Sequence, residues 1–428
     1  MRFALVNPAW SFDGSIYFGC REPHLPLEYG YAQALLESAG HEARIFDAQM
    51  ENLAAEELRK RARAFDPDFV VVTSAPSYLF WRCAPPELRV PRQTVQLLRG
   101  IGAASVLVGP HGSTTPRAAL QKTGVDVVVL GECEQILPRL AEDWSRVPSL
   151  CYRRNGTVAL TGPPHACNME ALPALTWARE IVARHRHHHH RFDAEPLGPG
   201  AEVEASRGCP YHCTFCAKDN FRDDFRRRPQ ETVLRELEGL RQSGVEYVYF
   251  IDEIFLPNRK LLEALVGFGL KFGMQTRIDL WNAETLDLLG RAGCVSVEAG
   301  VESITEQGRE LLDKKCRLST DELAERLVFA KTRIPFVQAN LLASPHDDAG
   351  AVEAWRSRLE RHGVWANKPV PLFAYPGSPE YKRRWGEADD QAWERAHADY
   401  LASFRGFSDI QEQHPLPLVQ LETSRGNR

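Results

Sequence analysis

Three closely spaced cysteines are the residues of this sequence best suited to direct chemistry. Cys209, Cys213 and Cys216 follow the spacing C-x3-C-x2-C. Three thiolates held this close can ligate three irons of a [4Fe–4S] cluster and leave the fourth iron open to a substrate or cofactor. A zinc site with His212 as the fourth ligand is the main alternative, but the second C-x2-C pair of a zinc ribbon is missing. Purely structural cysteines would be unusual in so polar a loop, so the spacing favours the cluster.

Charged and small residues follow the apolar runs that come after this loop. Directly behind successive runs lie Asp252, Glu253, Arg277, Asp279, Gly300, Glu302 and Ser303. Because the carboxyl ends of parallel strands meet at one edge of a sheet, we expect these residues to converge near the cysteine loop. A solvated strand end is the simpler interpretation of each one alone, whereas the whole set favours a shared ligand site.

The elements that would position these residues are predicted to form a parallel barrel over residues 201–382. Six strand candidates alternate there with helical patterns, at residues 202–206, 247–251, 275–278, 295–298, 337–342 and 370–374. The cysteine loop directly follows the first of them. Six strand–helix units of this length predict a partial (β/α)6 barrel, whose reactive face is formed by the carboxyl ends of its strands.

Residues 1–145 predict a separate, Rossmann-like doubly wound parallel sheet, so the fold class is α/β. Five short runs rich in Val, Ile and Phe alternate with helical patterns, at residues 3–6, 43–46, 69–73, 106–108 and 125–130. Such sheets bind ligands at the carboxyl ends of their strands. Small or polar candidates for ligand contact at these ends are Asn7, Ser74, Gly109, His111, Gly131 and Glu132. A simple turn is the alternative at each.

Two other segments carry weaker signals. Residues 146–200 are predicted to connect the two folded units, and they contain a basic run with four consecutive histidines at positions 187–190. The neighbouring arginines favour a solvated linker over a metal site. Residues 383–428 are predicted to form a C-terminal helical segment, amphipathic near residues 393–404, followed by a polar tail.

Length and composition exclude several classes of protein. A chain of 428 residues is too long for one ordinary domain, and 43% hydrophobic with 25% charged residues excludes a largely disordered chain. A net charge of −5, from 52 Lys+Arg and 57 Asp+Glu, provides no general positive electrostatic potential for binding nucleic acid or an anionic membrane. Ten cysteines are too dilute for a disulfide scaffold. With no secretion signal and no long apolar run, we expect a cytoplasmic protein without a membrane partner.

The cysteine loop resembles the signature of the radical S-adenosylmethionine (SAM) enzymes. Much of the chain is similar to the subgroup with an N-terminal cobalamin (B12)-binding-type domain, through VGPHG at 108–112, VVVLGE at 127–132, LPAL at 172–175, FIDE at 250–253, GVES at 300–303 and YPGSP at 375–379. The resemblance runs from the start of the chain to about residue 382. It implies that Cys209, Cys213 and Cys216 ligate a [4Fe–4S] cluster whose open iron is chelated by SAM.

The same resemblance implies roles for the strand-end residues. For SAM it implies that Asp252 or Glu253 binds the ammonium group, Arg277 binds the carboxylate and Asp279 binds the ribose. It also implies that the backbone at Gly300 approaches the adenosine, with Glu302 and Ser303 making polar contacts. Phe215 is included among the SAM contacts. The N-terminal strand ends would contact cobalamin, but no D-x-H-x-x-G loop is present, so no histidine is expected to ligate cobalt from below.

The implied activity is reductive cleavage of SAM and cobalamin-assisted methyl transfer to a small specialised metabolite. The expected partners are that metabolite and an electron donor such as flavodoxin or ferredoxin, without nucleic acid. One alternative is transfer of the 3-amino-3-carboxypropyl group of SAM to a heteroatom such as trivalent arsenic, without cobalamin. Further alternatives are an RNA-modifying radical enzyme and a non-enzymatic metal-binding module. A soft substrate could use some of seven remaining cysteines, which are Cys20, Cys83, Cys133, Cys151, Cys167, Cys294 and Cys316.

Overall fold

A computed structural model describes residues 1–16, 23–76, 84–184, 198–218, 222, 224–403 and 415–423. It contains two largely parallel sheets, which confirms the predicted α/β class. The histidine run at positions 187–190, together with Cys20 and Cys83, lies outside the described residues.

The first sheet has seven strands in the order β2-β1-β3-β4-β5-β6-β7. They are β1 (Arg2–Asn7), β2 (Glu42–Asp47), β3 (Phe69–Thr73), β4 (Ala104–Val108), β5 (Val127–Val129), β6 (Leu150–Arg154) and β7 (Thr157–Leu160). The first five are parallel, as predicted. The hairpin β6–β7 adds two antiparallel strands from the segment predicted to be a connector, so this sheet extends past residue 145 to Leu160.

Helices cover both faces of the first sheet. They are α1 (Leu27–Ser38), α2 (Ala55–Phe65), α3 (Arg89–Leu97), α4 (Pro110–Thr114) and α5 (Pro116–Thr123). Because successive strand residues point to opposite faces, Phe3 and Leu5 of β1 join one hydrophobic cluster while Ala4 and Val6 join another. The first of these clusters continues into the second sheet, so the two units share a core.

The second sheet has six parallel strands in the order β15-β14-β13-β12-β11-β8, which is a partial barrel. They are β8 (Gly200–Val203), β11 (Tyr247–Phe250), β12 (Lys271–Thr276), β13 (Cys294–Glu302), β14 (Phe336–Leu341) and β15 (Trp365–Ala366). The strands β9 (Ser206–Arg207) and β10 (Arg226–Arg227) form a separate antiparallel pair. The helices are α6 (Arg179–Val182), α7 (Gln230–Gln242), α8 (Arg259–Leu265), α9 (Ala283–Arg291), α10 (Glu306–Leu311), α11 (Thr320–Lys331), α12 (Ala349–Glu360) and α13 (Pro379–Trp385).

The sixth barrel strand differs from its predicted position at residues 370–374. The strand that forms is β15, and Val370 makes only an isolated bridge with Leu342. Pro369 and Pro371 flank Val370 and have no N–H to donate to a ladder, which explains why this apolar run does not pair as a strand.

The C-terminal segment packs between the two units through α14 (Ala392–Ser403) and α15 (Leu418–Thr423). Trp393 stacks on His111 with ring centroids 4.5 Å apart, and its Nε1 donates to Thr115 Oγ1 at 3.1 Å. Leu418 and Leu421 are buried, so the predicted polar tail contributes to the core. This segment therefore covers strand ends of the first sheet.

Acid should loosen this packing through His397 on α14. His397 is only 1% exposed, its Nε2 has no hydrogen-bond partner among the described residues, and burial lowers its pKa to about 4. The unfolded chain binds a proton below about pH 6.5, so the stability that neutral His397 contributes is present above that pH and is lost as pH falls toward 4. At pH 5 we expect a loss of about 1–2 kcal/mol.

Thermal unfolding at pH 5 and pH 7.5 tests this expectation. The Tm difference between the two pH values should shrink in His397→Leu and stay as in the wild type in His362→Asn, which replaces an exposed histidine. An unchanged pH dependence in His397→Leu would contradict it.

Candidate functional site

The cysteine loop lies directly behind β8, and the antiparallel pair β9–β10 closes it at its base. Within it, Cys216 N donates to Cys213 O at 3.1 Å. Thr214 N donates to the Leu312 carbonyl at 3.0 Å, and Thr214 O accepts from Glu380 N at 2.8 Å. The backbone is therefore fixed by the segments that follow α10 and begin α13.

The three loop cysteines are partly exposed, whereas Cys133, Cys151, Cys167 and Cys294 are buried. Burial of the thiols raises the pKa of Cys213 to about 11 and that of Cys216 to about 12. The loop would therefore release protons when its thiolates bind iron. Three soft sulfur donors on one partly open loop fit a cluster with one open iron. No three His, Cys, Asp or Glu side chains in the described ranges are grouped so that they could hold one metal ion.

Arg277 has a donor group that suits an anionic ligand. It lies directly behind β12 and forms a two-point ion pair with Asp279, at 3.2 Å from Nε and 2.7 Å from Nη2. Its guanidinium lies 4.1 Å from the ring centroid of Tyr211, in the cysteine loop. The residue is 5% exposed, and Nη1 has no hydrogen-bond partner in the described structure. A buried, unpaired guanidinium N–H directed by such contacts fits a carboxylate such as that of SAM.

Asp252 and Glu253 both bind the start of the cysteine loop. Asp252 accepts from Ala205 N at 2.8 Å and from the Ser206 hydroxyl, and burial raises its pKa to about 7. Glu253 accepts from Gly208 N at 2.8 Å, and burial raises its pKa as well. The predicted pair of carboxylates is thus brought to the loop, where it fixes the backbone just ahead of Cys209.

The end of β13 brings together Gly300, Glu302 and Ser303. Lys314 donates to the Gly300 carbonyl at 3.0 Å and pairs with Glu302. A Cβ at Gly300 would lie 2.6 Å from Glu302 Oε1, so a side chain there would displace this pair. Ser303 is buried and donates to Asp347 Oδ1 at 2.7 Å, so its hydroxyl is committed to a neighbouring loop.

A row of polar residues crosses the inner face of the barrel sheet, level with the position two residues before Gly300 on β13. Gln275, Glu298 and Gln338 stand in register on β12, β13 and β14. Gln338 Nε2 donates to Asn340 Oδ1 at 2.5 Å, while Oε1 is buried without a hydrogen-bond partner in the described part of the chain. This row was not predicted from the sequence, although the alternation of its polar residues with Val297, Ala299 and Val337 was a usable signal.

The predicted residues of the first sheet fall into two groups. Asn7, at the end of β1, donates to Asp47 Oδ1 and accepts from Trp10 Nε1, both at 3.0 Å. His111 Nδ1 lies 3.3 Å from Ser74 Oγ, and its Nε2 has no hydrogen-bond partner among described residues. These residues share one strand-end edge.

The second group consists of Gly109, Gly131 and Glu132, which contact neighbouring segments of the protein. Gly109 accepts at its carbonyl from Ser113 Oγ at 3.3 Å, at the start of α4. Gly131 has φ of +80°, and a Cβ there would lie 2.2 Å from the His165 carbonyl oxygen, so only glycine fits. Glu132 is fully buried, and its carboxylate binds arginines of the barrel. Although burial alone would raise it, the charges of Arg207, Arg226 and Arg222 lower the pKa of Glu132 to about 2.

Two family models match the chain. The model of the B12 binding domain matches residues 21–141, and that of the Radical SAM superfamily matches residues 203–341. The second range contains the cysteine loop and the strands from β9 to β14. The chain is a radical SAM protein with an N-terminal B12-binding domain. The predicted resemblance is confirmed, and these families imply a [4Fe–4S] cluster, SAM and cobalamin as cofactors of this radical SAM protein.

Three known proteins illustrate this membership. An uncharacterized methyltransferase of Pyrococcus horikoshii is 26% identical over 330 residues, covering 73% of this chain and 68% of the relative. The hopanoid C-3 methylase of Methylococcus capsulatus is 28% identical over 367 residues, covering 81% and 67%. The structure of the radical SAM methyltransferase TsrM from Kitasatospora setae, with cobalamin and a [4Fe–4S] cluster bound, matches with a TM-score of 0.67 at 20% identity, covering 89% of this chain and 76% of that one. This last likeness shows the shared fold.

No helix within the described ranges has both the length and the apolar composition needed to cross a membrane.

Proposed function

We propose that this radical SAM protein is a cobalamin-assisted methyltransferase that acts on a small molecule. The observation that carries the proposal is the joining of two cofactor-binding units in one chain, with a B12-binding sheet and a three-cysteine barrel packed over a shared core. The names of the two relatives, a methyltransferase and a methylase, support methyl transfer over other fates of SAM.

When bound, the cluster and SAM supply radical chemistry, and cobalamin supplies a carrier for the methyl group. The protein's own residues bind and orient these groups. Cys209, Cys213 and Cys216 would hold the cluster, and the Arg277 guanidinium would bind the carboxylate of SAM. Asp252 and Glu253 fix the loop backbone, and either would accept the ammonium group of SAM in addition to these hydrogen bonds.

The inner polar row favours a substrate that donates hydrogen bonds. The Oε1 of Gln338 is buried and has no hydrogen-bond partner in the described part of the chain, while the cations at the barrel strand ends, Arg277 and Lys314, both form ion pairs. A neutral or cationic molecule bearing hydroxyl or amine groups would satisfy this acceptor. The net charge of −5 also does not favour an anionic macromolecule such as a nucleic acid as the substrate.

The proposal includes a reducing setting and an electron source. A cluster held by partly exposed thiols needs a reducing compartment, so we place the protein in the cytoplasm with flavodoxin or ferredoxin as donor. Among the described cysteines outside the loop, only Cys316 is partly exposed. The names of the two relatives favour methyl transfer over transfer of the 3-amino-3-carboxypropyl group to trivalent arsenic, the alternative in which such thiols would bind the acceptor.

Analysis of SAM-derived products tests the proposal. Anaerobic turnover of the reconstituted protein with cobalamin and a reductant should yield 5′-deoxyadenosine and S-adenosylhomocysteine, measured by mass spectrometry. S-adenosylhomocysteine should disappear when cobalamin is omitted. Formation of 5′-methylthioadenosine instead would identify aminocarboxypropyl transfer and overturn methyl transfer.

A further inference from the structure

Three arginines at the base of the cysteine loop bind one carboxylate of the B12-binding domain. Arg226 donates to both oxygens of Glu132, at 2.9 Å from Nη1 and 2.7 Å from Nη2. Arg222 Nε lies 3.2 Å from Glu132 Oε1, and Arg207 Nη1 lies 3.4 Å from Oε2. Arg207 and Arg226 face each other on β9 and β10, so Glu132 binds both strands that close the loop.

Two carboxylates of the barrel bind two of the same arginines. Glu204 accepts from Arg207 Nε and from Arg222 Nη1, both at 2.8 Å. Glu253 accepts from Arg222 Nη1 at 3.1 Å and from Gly208 N at 2.8 Å. The network therefore reaches the backbone N–H of Gly208, the residue immediately before Cys209.

The B12-binding domain contributes a second carboxylate, which pairs with Arg207. Glu134 Oε1 lies 2.7 Å from Arg207 Nη2, and both side chains are fully buried. Arg222 is 1% exposed, so water does not screen these charges. Arg207 and Arg222, on either side of the three cysteines, thus pair with carboxylates of the B12-binding domain as well as with those of the barrel.

We propose that Glu132 is a positioning residue for the iron–sulfur cluster and not a contact of cobalamin. Its two oxygens already accept three N–H groups, two from Arg226 and one from Cys167 N at 2.5 Å, and the residue has no exposed surface. The B12-binding domain uses it to set the position of the loop that holds Cys209, Cys213 and Cys216. This inference rests on the cluster and does not depend on which group of SAM is transferred.

The test compares Glu132→Gln with two matched variants after anaerobic reconstitution. Glu142→Gln is the control, because Glu142 also pairs with an arginine of the same domain but at an exposed site. The readouts are cobalamin bound per chain, the rate at which a chelator removes cluster iron, and the electron paramagnetic resonance spectrum and midpoint potential of the reduced cluster with and without SAM.

For Glu132→Gln we expect unchanged cobalamin content, roughly tenfold faster loss of iron, and a shifted or heterogeneous cluster spectrum. Glu142→Gln should match the wild type in all of them. Loss of cobalamin with an unaltered cluster would overturn the proposal and make Glu132 a cofactor contact. Unaltered values of every readout would overturn it equally.

Arg226→Gln decides the question if Glu132→Gln does not fold. Arg226 is the partly exposed member of the three, at 20%, and its loss leaves Glu132 with Arg207 and Arg222. We expect a smaller spectral shift in the same direction and a faster loss of iron than in the control. A cluster spectrum identical to that of the wild type in this folded variant would refute the positioning role.

Discussion

The Cys213→Ala variant should purify as a folded protein that neither holds a [4Fe–4S] cluster nor cleaves SAM. Cys213 lies in the middle of the loop and is partly exposed, so its removal leaves the hydrophobic core intact. Its backbone contact with Cys216 N does not need the side chain. A cluster limited to two thiolates would lose iron, so the charge-transfer absorption at roughly 400 nm should be absent and 5′-deoxyadenosine should fall to the protein-free background.

The matched control is Cys151→Ala. Cys151 is buried in β6, within the first sheet and away from the loop, so this variant should retain iron, sulfide and SAM cleavage. Thermal unfolding of the apo forms checks that Cys213→Ala is as stable as the wild type. A Cys213→Ala protein that still bound four irons with acid-labile sulfide would remove this residue from the ligand set.

The parts of the site that the sequence predicted are those whose signal is local. The cysteine spacing lies within one loop, and Arg277 and Asp279 are two residues apart at the end of one strand. Such features can be found without knowing which elements meet. Because parallel strands run in the same direction, their carboxyl ends lie at one edge of the sheet, so these residues could be predicted to lie close together.

The parts that were missed depend on contacts between distant segments. Glu132 and Arg226 are 94 positions apart, and Trp393 and Thr115 are 278 apart. Glu132 follows a strand of the first sheet, so a ligand contact was predicted for it, but its ion pairs with arginines of another domain were not predicted. No pattern in either segment indicates such a pairing, since each becomes meaningful only when the two units pack.

Local chemistry also explains the errors in the fold. The hairpin β6–β7 carries the exposed residues Arg153, Arg154 and Thr157, so its short, partly polar strands gave a weak apolar signal. At the sixth barrel strand, hydrophobicity was a misleading guide because prolines flank Val370. There the Asn367 side chain donates to the Leu341 carbonyl at 3.0 Å and accepts from Leu341 N at 2.7 Å, replacing ladder bonds.

The Arg277→Ala variant should bind SAM roughly 100-fold more weakly than the wild type, a loss of about 3 kcal/mol. Its Nη1 is buried and has no hydrogen-bond partner among the described residues. A ligand carboxylate would therefore form a charge-assisted hydrogen bond with a donor that is otherwise unsatisfied. Arg277→Lys keeps the charge but loses the planar fork that pairs with Asp279 and stacks on Tyr211, so it should recover only part of the affinity.

Equilibrium binding of SAM to the cluster-loaded variants measures this effect, with iron content recorded in each. Tyr211→Phe is the matched control, because it retains the ring that faces the guanidinium and should leave SAM affinity unchanged. Tyr211→Ala removes the ring and should weaken binding by about 1 kcal/mol.

Unchanged SAM affinity in Arg277→Ala with full iron would show that the unpartnered Nη1 donor binds another ligand. Weak binding accompanied by iron loss would instead place Arg277 among the residues that hold the loop, since Tyr211 lies between Cys209 and Cys213.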